Sequence, residues 1–419
     1  MCSIFGVLGV QPDRRILSKI SERAKDRGRD GGRIETYFLE NGLIAALGNW
    51  RATPTTEVAV TDLQPYNGIV HNGTIANDRE LGNPPNTVDS KILAKVIRRD
   101  SLAYVHDSLV RIKGSYALAI VSNDTVYLAC NYKPIYYYKI GDSTYFSSME
   151  RHFQDVVIFG TSPCKVYPYS IINLLNGHTL QLPRLHCKRA LVIASAGLDS
   201  TCVAHYLQKK MNLSVTLLHF NYGCRATSKE MECILKIAKA LECNYEILPL
   251  DYKYLKGESP LFDKKAISGP VAGAEFAHEW VPARNLLMLS YATAYAEAND
   301  YGYIALGNNL EESGAYPDNE EEMSHLFNGI LPYSVRDGVK VELVWPVGNL
   351  MKHEIVKLGV ELDTPFEHTW SCYNAGDKHC GVCGPCYMRR VAFHRNGLVD
   401  PVPYEVSYEE TITQQVVST

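Results

Sequence analysis

Long apolar runs are missing from this sequence. No stretch of its 419 residues approaches the roughly 20 apolar residues a helix needs to cross a bilayer, which argues against a helical membrane protein. The opening apolar segment, Ile4 to Val10, is short for a secretory leader, has no basic segment before it and runs into charged residues. An excess of one charge is missing too. Lys and Arg total 42 against 46 Asp and Glu, a formal net charge of −4, so no global basic surface argues for nucleic-acid binding, although local patches stay open. Internal repeats and low-complexity blocks are also lacking. Together these absences predict a cytoplasmic chain (host cytoplasm for a viral one), in a compartment where thiols stay reduced. Its twelve cysteines then need a purpose other than disulfides.

Eight of them are scattered: Cys2, Cys130, Cys164, Cys187, Cys202, Cys224, Cys233 and Cys243. The other four, Cys372, Cys380, Cys383 and Cys386, follow a C-x7-C-x2-C-x2-C spacing among glycines. Four thiolates so spaced can wrap one tetrahedral Zn²⁺ and leave no open coordination position, so the site reads as structural. An iron–sulfur cluster is the alternative, and His379, next to Cys380, is the weaker ligand.

The length predicts two or three domains. Residues 1–186 read as short alternating strands interrupted by helices in RRILSKISERAKD and DSKILAKVIRRDSLAYVHDSLVRI. From 187 the grammar changes to buried strands separated by long helices, which predicts a parallel sheet. PRLHCK reads as the linker, and 401–419 as a polar tail that is appended or frayed. In LVIASAGLDST a strand ends in Ser195, Ala196, Gly197, Leu198, Asp199, Ser200 and Thr201, and a helix follows. Backbone N–H groups at such a helix start, with the helix dipole and nearby hydroxyls, form an anion site.

That loop resembles the SGGxDS pyrophosphate loop of the ATP pyrophosphatase superfamily, with Ala196 standing where the pattern has a second glycine. With FNYGCR, WVPARN, SGAYPD, WPVGNLMKHE and CYN…CGVCGPC in order, residues 188–395 resemble the 7-cyano-7-deazaguanine synthase family. The resemblance implies that 195–201 bind ATP, with Mg²⁺ beside the phosphates. It implies that Arg225, Arg284, Tyr316, Asp318 and Lys352 line the substrate site, and that the four cysteines bind zinc. Arg284 and Lys352 would offset the negative charge of adenylation. Asp318 would bind either the guanine edge or Mg²⁺.

The first half turns on Cys2. Trimming of Met1 would leave its thiol beside a free α-amine of pKa ~7.7–8, which can take the thiol proton without a histidine. CSIFG, DRGRD, LGNWRAT, VHNGTIAN and VDS carry a resemblance to class II glutamine amidotransferases. It implies Cys2 as nucleophile, Arg51 on the glutamine α-carboxylate, Asp89 on its α-ammonium, and Asn72 with the Gly73 N–H on the oxyanion. Asn72-Gly73 is also the commonest hairpin turn, and Arg51 and Asp89 could be simple surface charges. DRGRD has Arg29 where many relatives have proline.

The whole resembles amidotransferase–deazaguanine synthase fusions linked to archaeosine formation. The expected fold is α/β. An N-terminal-nucleophile αββα sandwich spans 1–186, and a doubly wound ATP pyrophosphatase-like domain with its zinc loop spans 187–400. The expected function is transfer of glutamine-derived ammonia to the nitrile of 7-cyano-7-deazaguanine in tRNA or DNA, giving a 7-amidino base. The alternative is ATP-dependent conversion of 7-carboxy-7-deazaguanine to the nitrile. An asparagine-synthetase-like enzyme is a further alternative, and a decayed nucleic-acid-binding scaffold lies outside enzymes altogether. Partners are glutamine and the deazaguanine substrate, with no membrane; a homo-oligomer is left open. Arg14, Arg15, Lys25, Arg27, Arg389, Arg390 and Arg395 are candidate phosphate contacts or simply solvated charges.

Overall fold

The computed structural model describes residues 2–53, 63–85, 87–255, 257, 259–262, 279–313, 316–374 and 376–411. Met1, and with it the trimming expected above, lies outside the described residues, as do 412–419 of the tail. The chain divides into two compact units, Met1–Arg184 and Leu185–Thr419. Leu185 already belongs to the second, since its N–H donates to Gly338 O at 2.7 Å and its carbonyl accepts from Lys340 N at 2.8 Å.

In the first unit two antiparallel sheets stack. One contains β1 (Ser3–Gly9), β2 (Gly32–Phe38), β3 (Ile44–Trp50), β7 (Tyr136–Ile140), β8 (Ser143–Ser147) and β9 (Cys164–Lys165), in the order β2-β3-β1-β8-β7-β9. The other contains β4 (Ile69–Ile75), β5 (Gly114–Val121), β6 (Val126–Cys130), β10 (Ser170–Asn173) and β11 (Thr179–Gln181), in the order β11-β10-β6-β5-β4. The period-2 pleat makes the layers. Ile4 and Leu8 of β1 meet Val70, Ala117, Ala119 and Leu128 of the second sheet in one buried cluster. Phe5 and Val7 point the other way, onto Ile20 and Ala24 of α1 (Arg14–Ala24). The outer face of the second sheet, with Ile69, Leu118 and Ile120, is covered by α2 (Leu93–Val96) and α3 (Leu102–Leu109). The order helix, sheet, sheet, helix is the αββα sandwich. The long second helix expected from periodicity is in fact two, because Ser101 caps a new start by accepting from Tyr104 N. A serine at that position competes with helix continuation and favours an N-cap.

Among its described residues the second unit holds five parallel strands: β12 (Arg189–Ile193), β13 (Ser214–Asn221), β14 (Asn244–Pro249), β15 (Tyr303–Ala305) and β16 (Glu342–Val344). Their order is β14-β13-β12-β15-β16. The chain runs outward from β12 to one edge, then returns across it to β15. The resulting crevice beyond the carboxyl ends of β12 and β15 is where ligands bind in such sheets. α4 (Leu198–Lys209) leaves from that crevice, followed by α5 (Thr227–Ala240), α6 (Arg284–Ala298), α7 (Leu310–Ser313), α8 (Glu321–Ser334), α9 (Lys352–Glu361) and α10 (Gly384–Arg395). Residues 401–411 are not frayed. Tyr404 pairs with His379, Glu405 N donates to His379 O at 2.9 Å, and Val402 is buried. No described helix is long and apolar enough to cross a membrane.

Candidate functional site

Cys2 precedes β1 and is half-buried, its Sγ 3.8 Å from Ala52 O. The register that sets Ser3 opposite Trp50 brings it beside Arg51, which is 5 % exposed. Backbone bonds from Arg51 N to Gly31 O at 2.8 Å and from Asp30 N to Arg51 O at 2.9 Å fix that turn. Arg27, half-buried, interacts electrostatically with Cys2, a proximity the sequence pattern did not reveal.

Asn72 and Gly73 form no hairpin turn: they lie inside β4, opposite Ala117 and Tyr116. The Asn72 side chain is 1 % exposed, and neither its Oδ1 nor its Nδ2 has a hydrogen-bond partner. A buried amide left unmatched costs about 1–3 kcal/mol, so both its donor and its acceptor stand open. Gly73 has φ +153°, and a Cβ there would lie 1.9 Å from Ser115 O, so no other residue fits. Asp89 anchors the same strand, accepting from Ile75 N at 2.7 Å through Oδ2 and from Ser90 N at 2.7 Å through Oδ1. His71, one residue before Asn72, bonds Ser90 Oγ at 2.8 Å through Nδ1, and burial holds its pKa below the usual imidazole range. Cys2 and Arg51 thus share one strand end, while Asn72 and Gly73 lie within β4, whose last residue Asp89 holds. β4 lies against β1 and β3.

The second unit encloses a cavity of about 240 Å³ at the sheet's switch point. Ser195, Gly197, Leu198, Asp199 and Ser200 line one side. Ala196 adopts φ +60° and is fully buried, outside the cavity lining, while its carbonyl accepts from Trp370 N at 2.8 Å. Its methyl therefore does not crowd the space where phosphates would sit. Thr201 Oγ1 donates to Gly197 O at 2.7 Å and secures the first turn of α4, whose start has no side-chain cap. Lys352 Nζ bridges Asp199 Oδ2 and Glu312 Oε1, both at 2.7 Å. Burial alone would depress its ammonium, yet the two carboxylates hold it above the ordinary lysine range. Burial pushes the Asp199 carboxyl up, against the pull of Lys352.

Arg284 lines the cavity and reaches Tyr222 OH at 3.4 Å. Arg225, Tyr316 and Asp318 are not in its lining. Arg225 Nη1 reaches Pro260 O at 3.5 Å, and Tyr316 OH donates to Glu279 Oε2 at 3.0 Å. Asp318 lies within electrostatic reach of Arg284, and burial raises its carboxyl. Sequence reasoning missed Glu312, Tyr373, His219 and Glu230, all cavity-lining. Glu312 stands immediately before the quoted SGAYPD. His219 and Glu230 carry no such local signal.

The four clustered cysteines are buried, and their sulfurs lie within 4.8 Å of one another. Cys372 Sγ accepts from Cys380 N at 3.4 Å and Cys380 Sγ from Cys383 N at 3.4 Å, bonds that favour thiolates. This donor set fits a tetrahedral metal ion. His379 is not part of this cluster, and its Nε2 accepts from Ser371 N at 3.0 Å. Several of the basic residues named as candidate phosphate contacts have partners within the protein. Arg389 is buried and bidentate to Asp400 at 2.9 and 3.0 Å, Arg15 pairs with Asp13, and Lys25 pairs with Glu22. Arg390 donates to the Val406 and Ser407 carbonyls, each at 3.0 Å.

Comparison with known proteins finds two family models. One described as "Queuosine biosynthesis protein QueC" matches residues 189–397, and one described as "Glutamine amidotransferase domain" matches residues 60–155. The chain is 41 % identical to the 7-cyano-7-deazaguanine synthase of Sulfolobus acidocaldarius, over 97 % of this chain and all of that one. Identity to the protein of that name in Saccharolobus solfataricus is 39 %, again over 97 % and 100 %. A third, from Methanosphaerula palustris, is 36 % identical and matches 52 % of this chain over 99 % of its own length.

Proposed function

Because the chain belongs to the 7-cyano-7-deazaguanine synthase family and carries a glutamine amidotransferase domain, we propose that it uses glutamine-derived ammonia to build the nitrile of 7-cyano-7-deazaguanine from a 7-carboxy precursor. In the first unit, Cys2 would attack the glutamine side-chain amide, and the proton of its thiol would pass to the N-terminal amine. Arg51 would hold the α-carboxylate and Asp89 the α-ammonium. The Asn72 amide and the Gly73 N–H would receive the oxyanion. The open donors of Asn72 support this half of the reading.

Turning a carboxylate and ammonia into a nitrile removes two oxygens from carbon, and each must leave as an activated group. The loop Ser195–Thr201 would hold the ATP that supplies this activation, with Arg284 and Lys352 countering the charge on the leaving group. Asp318, outside the cavity lining but within electrostatic reach of Arg284, would bind Mg²⁺ or the guanine edge only if substrate extends to it. The four cysteines would hold zinc as a structural ion. The observation that carries the ATP-dependent reading is that Ala196 is buried and outside the cavity lining, so its methyl leaves the cavity side of the loop clear.

A second reading keeps the same ammonia but a different acceptor: addition to 7-cyano-7-deazaguanine in tRNA or DNA, giving the 7-amidino base without loss of any atom. What favours it is that a relative matching only 52 % of this chain over 99 % of its own length bears the same synthase name, so the rest of this chain invites a second task. One experiment separates the two. The protein is incubated with glutamine and either 7-carboxy-7-deazaguanine or nucleic acid carrying the 7-cyano base, with and without ATP, and products are identified by mass spectrometry. A nitrile formed only with ATP supports the first reading; an amidine formed without ATP replaces it with the second; neither product overturns both.

A further inference from the structure

One contact in the cavity wall is chemically mismatched. His219 on β13 is 2 % exposed and its Nδ1 donates to Ala194 O at 2.9 Å, which leaves Nε2 as a bare lone pair. That nitrogen is buried with no hydrogen-bond partner. The nearest charged group is Glu230 Oε2 on the first turn of α5, 3.9 Å away, on a side chain 14 % exposed. Two acceptors facing one another in a low-dielectric wall repel unless a proton lies on one of them or a donor enters between them. Both residues line the cavity that holds the Asp199 loop.

We propose that His219 and Glu230 form a proton-sharing pair that takes up the proton released when ammonia adds to the deazaguanine substrate, a role that rests on the nitrogen-transfer reading above. As the new N–C bond forms, the π pair of the activated carbonyl moves to oxygen. The ammonium so created loses one proton to the pair, and collapse then expels the activated oxygen with its electrons. Ammonia that stayed protonated would simply leave again, so an acceptor at this position decides whether addition is productive.

The surroundings suit that task. Cys224 Sγ lies 3.8 Å from Glu230 Oε2, Arg284 acts on the carboxylate electrostatically, and Tyr222 adds a phenol from the strand end. Burial raises the Glu230 carboxyl to about 7, against the lowering pull of Arg284, while burial lowers His219. An acceptor poised near neutrality can both take and return a proton. Asp199, Glu312 and Lys352, also in the lining, are by contrast paired with one another.

The test uses the full-length protein with free ammonia in place of glutamine, so that the amidotransferase half cannot limit the result. Glu230→Gln and His219→Gln should each lower ammonia-dependent product formation by about 10²-fold. Each should also flatten the rise of rate with pH around neutrality, with the KM for ATP unchanged. Infrared difference spectra of wild type should show a protonated carboxyl that titrates near neutral pH and vanishes in Glu230→Gln. Variants with wild-type rates and pH profiles would overturn the proposal, as would the absence of that carboxyl signal. Should wild type itself form no product from any acceptor, the functional reading fails instead, and the infrared titration still decides whether the pair shares a proton.

Discussion

At the scale of single residues, Ala196 shows how opposing small terms decide a site. An L-residue at φ +60° costs roughly 1–2 kcal/mol relative to an unstrained one. Burying its methyl returns about 0.8 kcal/mol, and alanine restricts the unfolded chain by about 0.4–1 kcal/mol more than glycine does. The terms nearly cancel, so Ala196→Gly should shift Tm by less than about 4 °C and leave ATP-dependent turnover as it is. A large gain in turnover would show instead that the methyl obstructs phosphate. Glu230 is the reverse case, a residue kept at a cost. Its carboxyl is raised from 4.5 to about 7, so between those values the unfolded chain ionises while the folded one stays protonated. Stability therefore falls as pH rises through that window and stays lower above it, by the order of 3 kcal/mol. Glu230→Gln should raise the Tm clearly on the alkaline side and little near the unfolded pKa, as read from thermal melts across pH. Equal effects at both ends would mean that the carboxyl titrates normally.

At the scale of elements, the C-terminal helix and the cysteine loop act as one clamp. Cys383 precedes α10 and Cys386 lies in its first turn, while Arg389 one turn later reaches Asp400, Thr369 and the Phe366 carbonyl. Removing the carboxylate would strand a fully buried guanidinium. Asp400→Ala should cost about 3–5 kcal/mol in chemical denaturation, far more than a surface pair would. A loss below about 1 kcal/mol would show that Thr369 and Phe366 suffice. The cysteine spacing was legible beforehand because a metal loop is local in sequence. The role of Arg389 was not, since a basic run looks the same whether it faces solvent or an acid eleven residues away. The same distinction separates Ser101, whose capping chemistry is local although the helical period masked it, from Asn72-Gly73. That dipeptide suggests a turn by propensity but sits mid-strand, because seven residues of β4 pair with β5. Tertiary pairing overrides a two-residue preference.

At the scale of the whole molecule, two chemistries share one chain and should separate cleanly by mutation. Cys2→Ala should abolish glutamine-supported product while ammonia-supported product continues. Asn72→Ala should lower glutamine hydrolysis by about 10²–10³-fold with the same sparing of the ammonia reaction. Product formation from ammonia that fell in step with glutamine hydrolysis would show that the halves are not independent. The sequence by itself determined the two units, the strand–loop–helix that opens the second, the cysteine behind Met1 and the four-thiol loop. Each is written in contiguous residues, as a period, a cap or a short spacing. Only the tertiary structure decided which distant side chains meet. It joined Lys352 to Asp199 and Glu312, turned Arg225 away from the cavity, left the Asn72 amide open and set His219 against Glu230. The reason is physical: strand order and register carry side chains together across dozens of residues, and burial then sets their charge.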